Sequence, residues 1–226
     1  MNSELKELLL SPLLQIGVIN RYSGLYLARP ESVSDHTCQV GILAFVIASK
    51  YLSYGGNIDL GKVALYSLVH DFDEALTADV PRNIKYFFPE LKESLNKVAV
   101  EALFRLGDQL QISGLHSLWV NSKSDGFEGL IVEIADSLQV VKKALEEVEL
   151  LGNKYMLRIT LEISPTLDKL SEKVDSIAET MPVKCYSFLG RLVIDAKKCI
   201  KEIHDKHMSD IEHLGIQKLK FVGKQE

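Results

Sequence analysis

SVSDHTCQVGILAFVIASKYLSYGG, residues 32–56, is the stretch whose reading decides the fold class. It opens with Ser32 three residues ahead of Asp35, a capping-box spacing with Asp in place of the usual Glu. It closes at Gly55-Gly56, where the backbone can turn left-handed and stop a helix. Between these ends the apolar residues show no alternation of period two and cover nearly every side of a 3.6-residue repeat. The spacing predicts a helix to about Tyr54, and its apolar circumference predicts a central, buried one.

Outward from this helix the punctuation keeps helical spacing. Ser3 caps one short segment, and Ser11-Pro12 pairs a cap with proline at a first helical position, so the chain opens on two short helical pieces. Residues 20–29 hold Gly24 and lead into Pro30, which makes them a loop. Asp59 caps a helix carrying Val63, Ala64, Leu65, Leu68 and Val69 up to His70 and Asp71. Asp79-Val80-Pro81 breaks the pattern, and Pro89 precedes a helix from about Glu90 to Leu106, stopped by Gly107. Residues 108–126 read as polar and irregular. A helix from about Phe127 closes at Gly152, another starts at Ser164-Pro165 and ends near Pro182, and the last spans roughly Tyr186 to His213. With no β-branched cluster bounded by turns and no internal repeat, the fold class is all-α. The expected organisation is a core of residues 1–163 and C-terminal helices over 164–226. These helices would pack on the core or at an oligomer contact and end in a basic tail at Lys218, Lys220 and Lys224.

Composition bounds the function. The 226 residues are 46% hydrophobic and 25% charged, the proportions of one ordinary globular domain. The longest strictly apolar run, Val40 to Ala48, is nine residues, far short of the ~20 a membrane-spanning helix needs. The first seven residues mix both charge signs and carry no secretory pattern, so a cytoplasmic location is expected. Cys38, Cys185 and Cys199 are an odd, scattered set without a C-x-x-C pair, and read as plain buried thiols. Against 31 acidic residues stand 26 basic ones, a net charge of −5, which argues against a nucleic-acid polymer as partner. Any phosphate must be met locally.

The His70-Asp71 doublet, at the end of an apolar helix, is where chemistry first suggests itself. Adjacent helical side chains diverge by about 100°, so the two can share a metal only if other helices supply further ligands. His36 sits in the first turn of the 32–54 helix on the stripe of Val40, Leu43 and Ile47. Asp136 has Val132 and Val140 one turn to either side and also faces inward. Each alone has an ordinary explanation, His36 as a satisfied core histidine and Asp136 as the partner of an arginine. A buried carboxylate without a partner costs several kcal/mol, and one cation accounts for two histidines and two aspartates on three helices together. His204-x-x-His207 has the spacing of a second site, but no core-facing carboxylate accompanies it, so it is set aside.

Arg21-Tyr22, Glu31-Ser32-Val33-Ser34-Asp35-His36, Gly55-Gly56-Asn57, the run from Leu68 to Pro81, Ile84-Lys85-Tyr86-Phe87 and Ala135-Asp136 occur in an order and spacing similar to the HD-domain 5′-deoxynucleotidases. The resemblance covers about residues 12–160. It implies an HD-domain helical bundle and one divalent transition metal held by His36, His70, Asp71 and Asp136. That mixed nitrogen and oxygen set suits Co²⁺, Mn²⁺, Ni²⁺, Fe²⁺ or Zn²⁺ alike. It implies Glu74 and Asp79 as catalytic carboxylates, and Arg21 and Lys85 as the cations that meet the phosphate. Without the resemblance Glu74 would read as an exposed helix-end residue, although it shares the face of His70 if that helix continues. The family commonly places Trp, packed on the sugar, where Tyr22 stands here. A homodimer is a further implication.

The implied function is hydrolysis of a deoxynucleoside 5′-monophosphate to deoxynucleoside and phosphate, with a deoxynucleotide as substrate and neither membrane nor nucleic-acid polymer as partner. Two alternatives stay open. One is a triphosphohydrolase acting on a dNTP such as dATP, for which Arg82 and Lys123 would add positive charge. The other is a non-catalytic nucleotide-sensing HD module, although none of the implied ligands nor Glu74 is missing.

Overall fold

A computed structural model describes residues 3–81, 89–124 and 126–216, and among them every regular element is helical. Helix α1 (Ser3–Leu9) and a 3-10 turn (Pro12–Gly17) lead to a loop that joins α2 (Val33–Ser53) through a single bridge between Asn20 and Ser32. Then follow α3 (Leu60–Val69), the one-turn α4 (Glu74–Thr77), α5 (Pro89–Gln109) and α6 (Leu115–Ser124). Helix α7 (Gly126–Leu145) continues into a π-helical turn (Glu146–Leu150), and α8 (Leu157–Ser176), α9 (Val183–Lys206) and α10 (Met208–His213) complete the chain. No helix among the described residues is long and apolar enough to cross a membrane.

The capping box that opens α2 is present in both directions: Asp35 N donates to Ser32 Oγ at 3.1 Å, and Ser32 N donates to Asp35 Oδ2 at 3.1 Å. Asp59 caps α3 by accepting from Lys62 N at 3.0 Å. Helix α7 is the axis on which the rest packs. Its buried Leu130, Ile131, Ile134 and Ala135 meet Val40, Ala44 and Ile47 of α2 and Val63 and Tyr66 of α3. Its second half, with Val140, Val141 and Ala144, joins Ile159 and Ile163 of α8 and Ile200 and Ile203 of α9. Helices α5 and α6 close a third cluster through Leu103, Leu106, Leu115 and Trp119.

Several sequence expectations are corrected. Residues 108–126 are not irregular throughout, because α6 lies within them and buries Trp119. Gly107 does not stop its helix. It sits inside α5 because a side chain there would meet Ile112 O at 2.9 Å and Leu115 Cβ at 3.2 Å. Ser164-Pro165 does not begin a helix: α8 starts at Leu157 and carries Pro165 in its interior, so a boundary at 163/164 falls inside one helix. The last helix breaks at His207. Helix α3 ends at Val69, so His70 and Glu74 are joined by a turn and not by continuous helix. Cys38 is exposed and Cys199 half-buried, and of the three thiols only Cys185 is fully buried. Helix α2 is not buried all round either, since Ile42, Phe45 and Val46 remain exposed on one side.

Behind the loop that precedes α2 lies a buried ion pair. Lys143 and Glu147 meet at 3.0 Å with side chains 1% and 0% accessible. Glu147 also accepts from the backbone N–H groups of Ala28 and Arg29 and from Asn153 Nδ2. Burial pushes its carboxyl up, but those donors and Lys143 outweigh burial and hold it below the ordinary 4.5.

Candidate active site

The first turn of α2, the turn after α3 and the middle of α7 bring His36, His70, Asp71 and Asp136 to one point. From His36 Nε2 it is 3.3 Å to His70 Nε2, 3.4 Å to Asp71 Oδ2 and 3.1 Å to Asp136 Oδ1. Among the described residues, His36, His70 and Asp71 satisfy the spacing of a metal-binding cluster, and Asp136 reaches it through His36. Both histidines are buried, 0% and 5% accessible, beneath a cavity of about 660 Å³ into which Asp71 and Asp136 open.

The hydrogen bonds behind the rings decide what the Nε2 atoms can do. His70 Nδ1 lies 2.7 Å from Ser67 O, a group that only accepts, so Nδ1 carries the proton. His36 Nδ1 lies 2.8 Å from Gln139 Oε1, whose amide nitrogen donates to Glu31 Oε2 at 3.0 Å. With both rings in the neutral form, two Nε2 lone pairs would then face each other at 3.3 Å, with two carboxylates alongside. That crowding of lone pairs calls for a positive charge between them, and the four-residue set fits a divalent cation. Without a metal a proton fills the role. Burial disfavours charged His70, yet Asp71, Asp136 and the Ser67 carbonyl outweigh it and push the ring up to about 9. Asp71 moves the other way: burial pushes its carboxyl up, but the two histidines hold it well below the usual range.

Arg21, buried to 9%, donates from a guanidinium nitrogen to Asp71 Oδ2 at 3.1 Å and lies 3.7 Å from Glu31. Burial opposes its charge, but Tyr22, Asp71, Glu74 and Asp136 raise its pKa above the ordinary value. Tyr22 follows with φ of 58°, and its backbone N–H donates to Asp79 Oδ2 at 2.7 Å. Ala78 also has φ of 58°, so two left-handed non-glycine residues are held on either side of that bond. Glu74 is 5% accessible and lines the same cavity, not the exposed position its sequence context suggests.

The structure thus brings together His36, His70, Asp71, Asp136, Arg21, Tyr22, Glu74 and Asp79. Lys85 and Arg82 lie outside the described residues. Lys123 reaches the cavity but is occupied, 3.5 Å from Asp73 and 4.3 Å from the Trp119 ring centroid. His204 and His207 do not converge on a shared point. His207 instead bonds Glu149 at 2.8 Å and lies 2.6 Å from Lys154, a cation where a second metal would sit. Sequence reading gave no role to Glu31 and overlooked Gln139, both buried polar residues behind the site. The signal for Gln139 was its place one turn after Asp136 on an otherwise apolar face.

Comparison with known proteins agrees with the geometry. A 5′-deoxynucleotidase of Photorhabdus laumondii is 29% identical over 165 residues, covering 71% of this chain and 84% of that protein. The 5′-deoxynucleotidase YfbR of Escherichia coli is 30% identical over 171 residues, 73% of this chain and 85% of its own. In fold, an HD-domain phosphohydrolase from Listeria innocua superposes with a TM-score of 0.69 at 19% identity, covering 92% of this chain and 99% of that one. The family described as 5′-deoxynucleotidase YfbR-like matches residues 9–182, from the last residue of α1 to the residue before α9, and so the chain belongs to the YfbR-like 5′-deoxynucleotidases, a family of hydrolases.

Proposed function

We propose that the chain cleaves deoxynucleoside 5′-monophosphates to deoxynucleoside and phosphate at this site. His36, His70, Asp71 and Asp136 would hold one divalent transition metal. The observation that carries the reading is the pair of Nε2 atoms held 3.3 Å apart beside two carboxylates that line a cavity of nucleotide size. A bound ion of this kind supplies an activated water and neutralises phosphoryl charge. Arg21 keeps guanidinium donors for the phosphate beyond the one spent on Asp71, and Lys85 is assigned the second cationic contact. Glu74 moves a proton, to or from the water or the leaving oxygen. Asp79 contributes as a carboxylate of the site and, through its bond to Tyr22 N, as the residue that places the Tyr22 ring.

Charge balance favours monophosphate over triphosphate. Besides Arg21 the cavity is lined by Lys92, Lys123 and Arg158, of which Lys123 is taken by Asp73 and Arg158 by Glu162 at 2.7 Å, and seven carboxylates line the same space. The deciding assay supplies metal and a panel of dNMPs, NMPs and dNTPs, and identifies phosphate or triphosphate among the products. Triphosphate from a dNTP as the main product would replace this reading. Glu74→Ala is expected to keep fold and metal and to lose roughly 10²–10⁴ in turnover, as measured by steady-state kinetics on the metal-loaded protein.

Tyr22 is assigned the sugar. An aromatic face against C2′ leaves a ribose hydroxyl buried without a partner, at a cost of about 1–3 kcal/mol or roughly 5- to 150-fold in selectivity. Tyr22→Ala should narrow the kcat/KM gap between a dNMP and its NMP, and Tyr22→Trp should hold or widen it. Because Arg21 also lies 5.4 Å from the Tyr22 ring, the ratio and not either constant is the test.

We assign the chain to a homodimer through α2 and α3, and to the cytoplasm. Ile42, Phe45 and Val46 of α2 and Leu65 and Leu68 of α3 are 39–60% exposed. No charged residue occurs from Thr37 to Ser49 or from Val63 to Val69, so the face can meet its own copy without like-charge repulsion despite a net charge of −5. Light scattering should give about twice the 25.3 kDa of one chain, and Phe45→Glu should halve that mass.

A further inference from the structure

We infer that Glu31 sets the proton position on His36 through Gln139, and so holds the His36 Nε2 lone pair toward the proposed metal point. The inference rests on the metal reading of His36 and adds to it two residues which that reading does not contain. All three are enclosed, with His36 and Gln139 at 0% and Glu31 at 4% exposure, so water does not compete for their hydrogen bonds.

The polarity of the chain follows from donor and acceptor inventories. An amide group has two ends, and on its own Gln139 could turn either toward His36. If its nitrogen faced His36, Nδ1 would have to accept, the ring proton would sit on Nε2, and a cation at Nε2 would be excluded. Glu31 removes that option. An ionised carboxylate only accepts, so the end of Gln139 that lies 3.0 Å from Glu31 Oε2 must be the nitrogen. The oxygen is then left 2.8 Å from His36 Nδ1, which must donate. On its other side Glu31 faces the Arg21 guanidinium 3.7 Å away, and the backbone N–H of Arg21 donates to Glu31 O at 2.9 Å. Glu31 is therefore a positioning residue. It reaches the metal point only through Gln139 and His36, and it links that point to the phosphate-binding arginine. Outer partners that fix the tautomer of a metal-ligating histidine commonly carry 10- to 100-fold in metal affinity.

Two measurements on the full chain test this. In the metal-free wild-type protein, ¹⁵N–¹H correlation spectra, with His36 assigned from a His36→Gln variant, should show neutral His36 as the Nδ1–H tautomer. A dominant Nε2–H form would overturn the inference without any variant of Glu31. Glu31→Gln keeps the shape but lets the amide chain run in either direction. It should mix the two His36 tautomers and weaken Co²⁺ binding, read by visible absorption and calorimetry, by about 10- to 100-fold. Glu31 acting through Arg21 alone would raise KM and leave both tautomer and Co²⁺ affinity unchanged, which also overturns the proposal. Failure of the wild-type protein to bind Co²⁺ would count against the metal reading, while the tautomer spectrum still judges the role of Glu31.

Discussion

Asp71→Ala is expected to lose metal and activity together. Asp71 Oδ2 is the acidic atom common to the whole site, at 3.4 Å from His36 Nε2, 3.3 Å from His70 Nε2 and 3.1 Å from Arg21. Its removal leaves two neutral imidazoles and one carboxylate for a divalent ion, with a buried guanidinium beside them that has lost its nearest anion. Turnover should fall by more than the ~10²–10⁴ carried by one proton-transfer residue, because the ion and the placement of Arg21 go at once. Metal content by elemental analysis, beside turnover, checks the outcome, and full occupancy in the variant would remove Asp71 from the ligand set. Glu74→Ala is the contrast, since it should keep its metal.

Glu147→Ala is expected to destabilise the fold by about 3–5 kcal/mol, the cost of leaving a buried charge unpaired. Lys143 is 1% accessible and would lose its carboxylate, and the N–H groups of Ala28 and Arg29 would lose their acceptor in the same step. Urea denaturation should show a lower midpoint with an unchanged slope. Replacing both partners, Lys143→Met with Glu147→Leu, should recover part of the loss because no unpaired charge then remains. The pH dependence has a definite sign. The folded pKa of Glu147 lies below the unfolded 4.5, so the stability it contributes is present above 4.5 and is lost as pH falls through the folded value. Wild type and variant should therefore converge in stability in acid below 4.5 and differ most near neutrality. The effect should reach the site as well, because Ala28 and Arg29 lead directly into Pro30 and Glu31.

How much of this was legible in the sequence differs from residue to residue. Ser32, Asp35 and Asp59 announced their helices because capping is local: cap and capped N–H are separated by three residues and find each other whatever the rest of the chain does. His36 and Asp136 were readable as inward-facing because a 3.6-residue repeat fixes the face a side chain takes relative to its neighbours on the same helix. Pro165 misled for the opposite reason. A proline suits a first helical turn, but α8 tolerates one in its interior because Ile159, Ile163, Leu167 and Leu170 bury one continuous stripe on either side of it. The α6 segment was missed because its polar composition hides a helix held by Trp119 and Leu115 against α5.

Glu74 shows the same division at the site. Its sequence context, a short acidic stretch after an apolar helix, describes an exposed residue, whereas the turn over residues 70–73 folds it back to 5% exposure against the cavity. The sequence by itself determined the all-α class, the caps at Ser32 and Asp59, the family and the inward-facing candidates, since all of these depend on spacing along one chain. Tertiary structure alone decided which nitrogen of His36 is free, that Glu31 and Gln139 stand behind it, that Asp79 holds Tyr22, and that one side of α2 is uncovered. Each of these is a contact between residues 57 to 108 positions apart, or the want of one. Hydrogen-bond polarity and burial belong to the space between helices, and no period along a single helix encodes them.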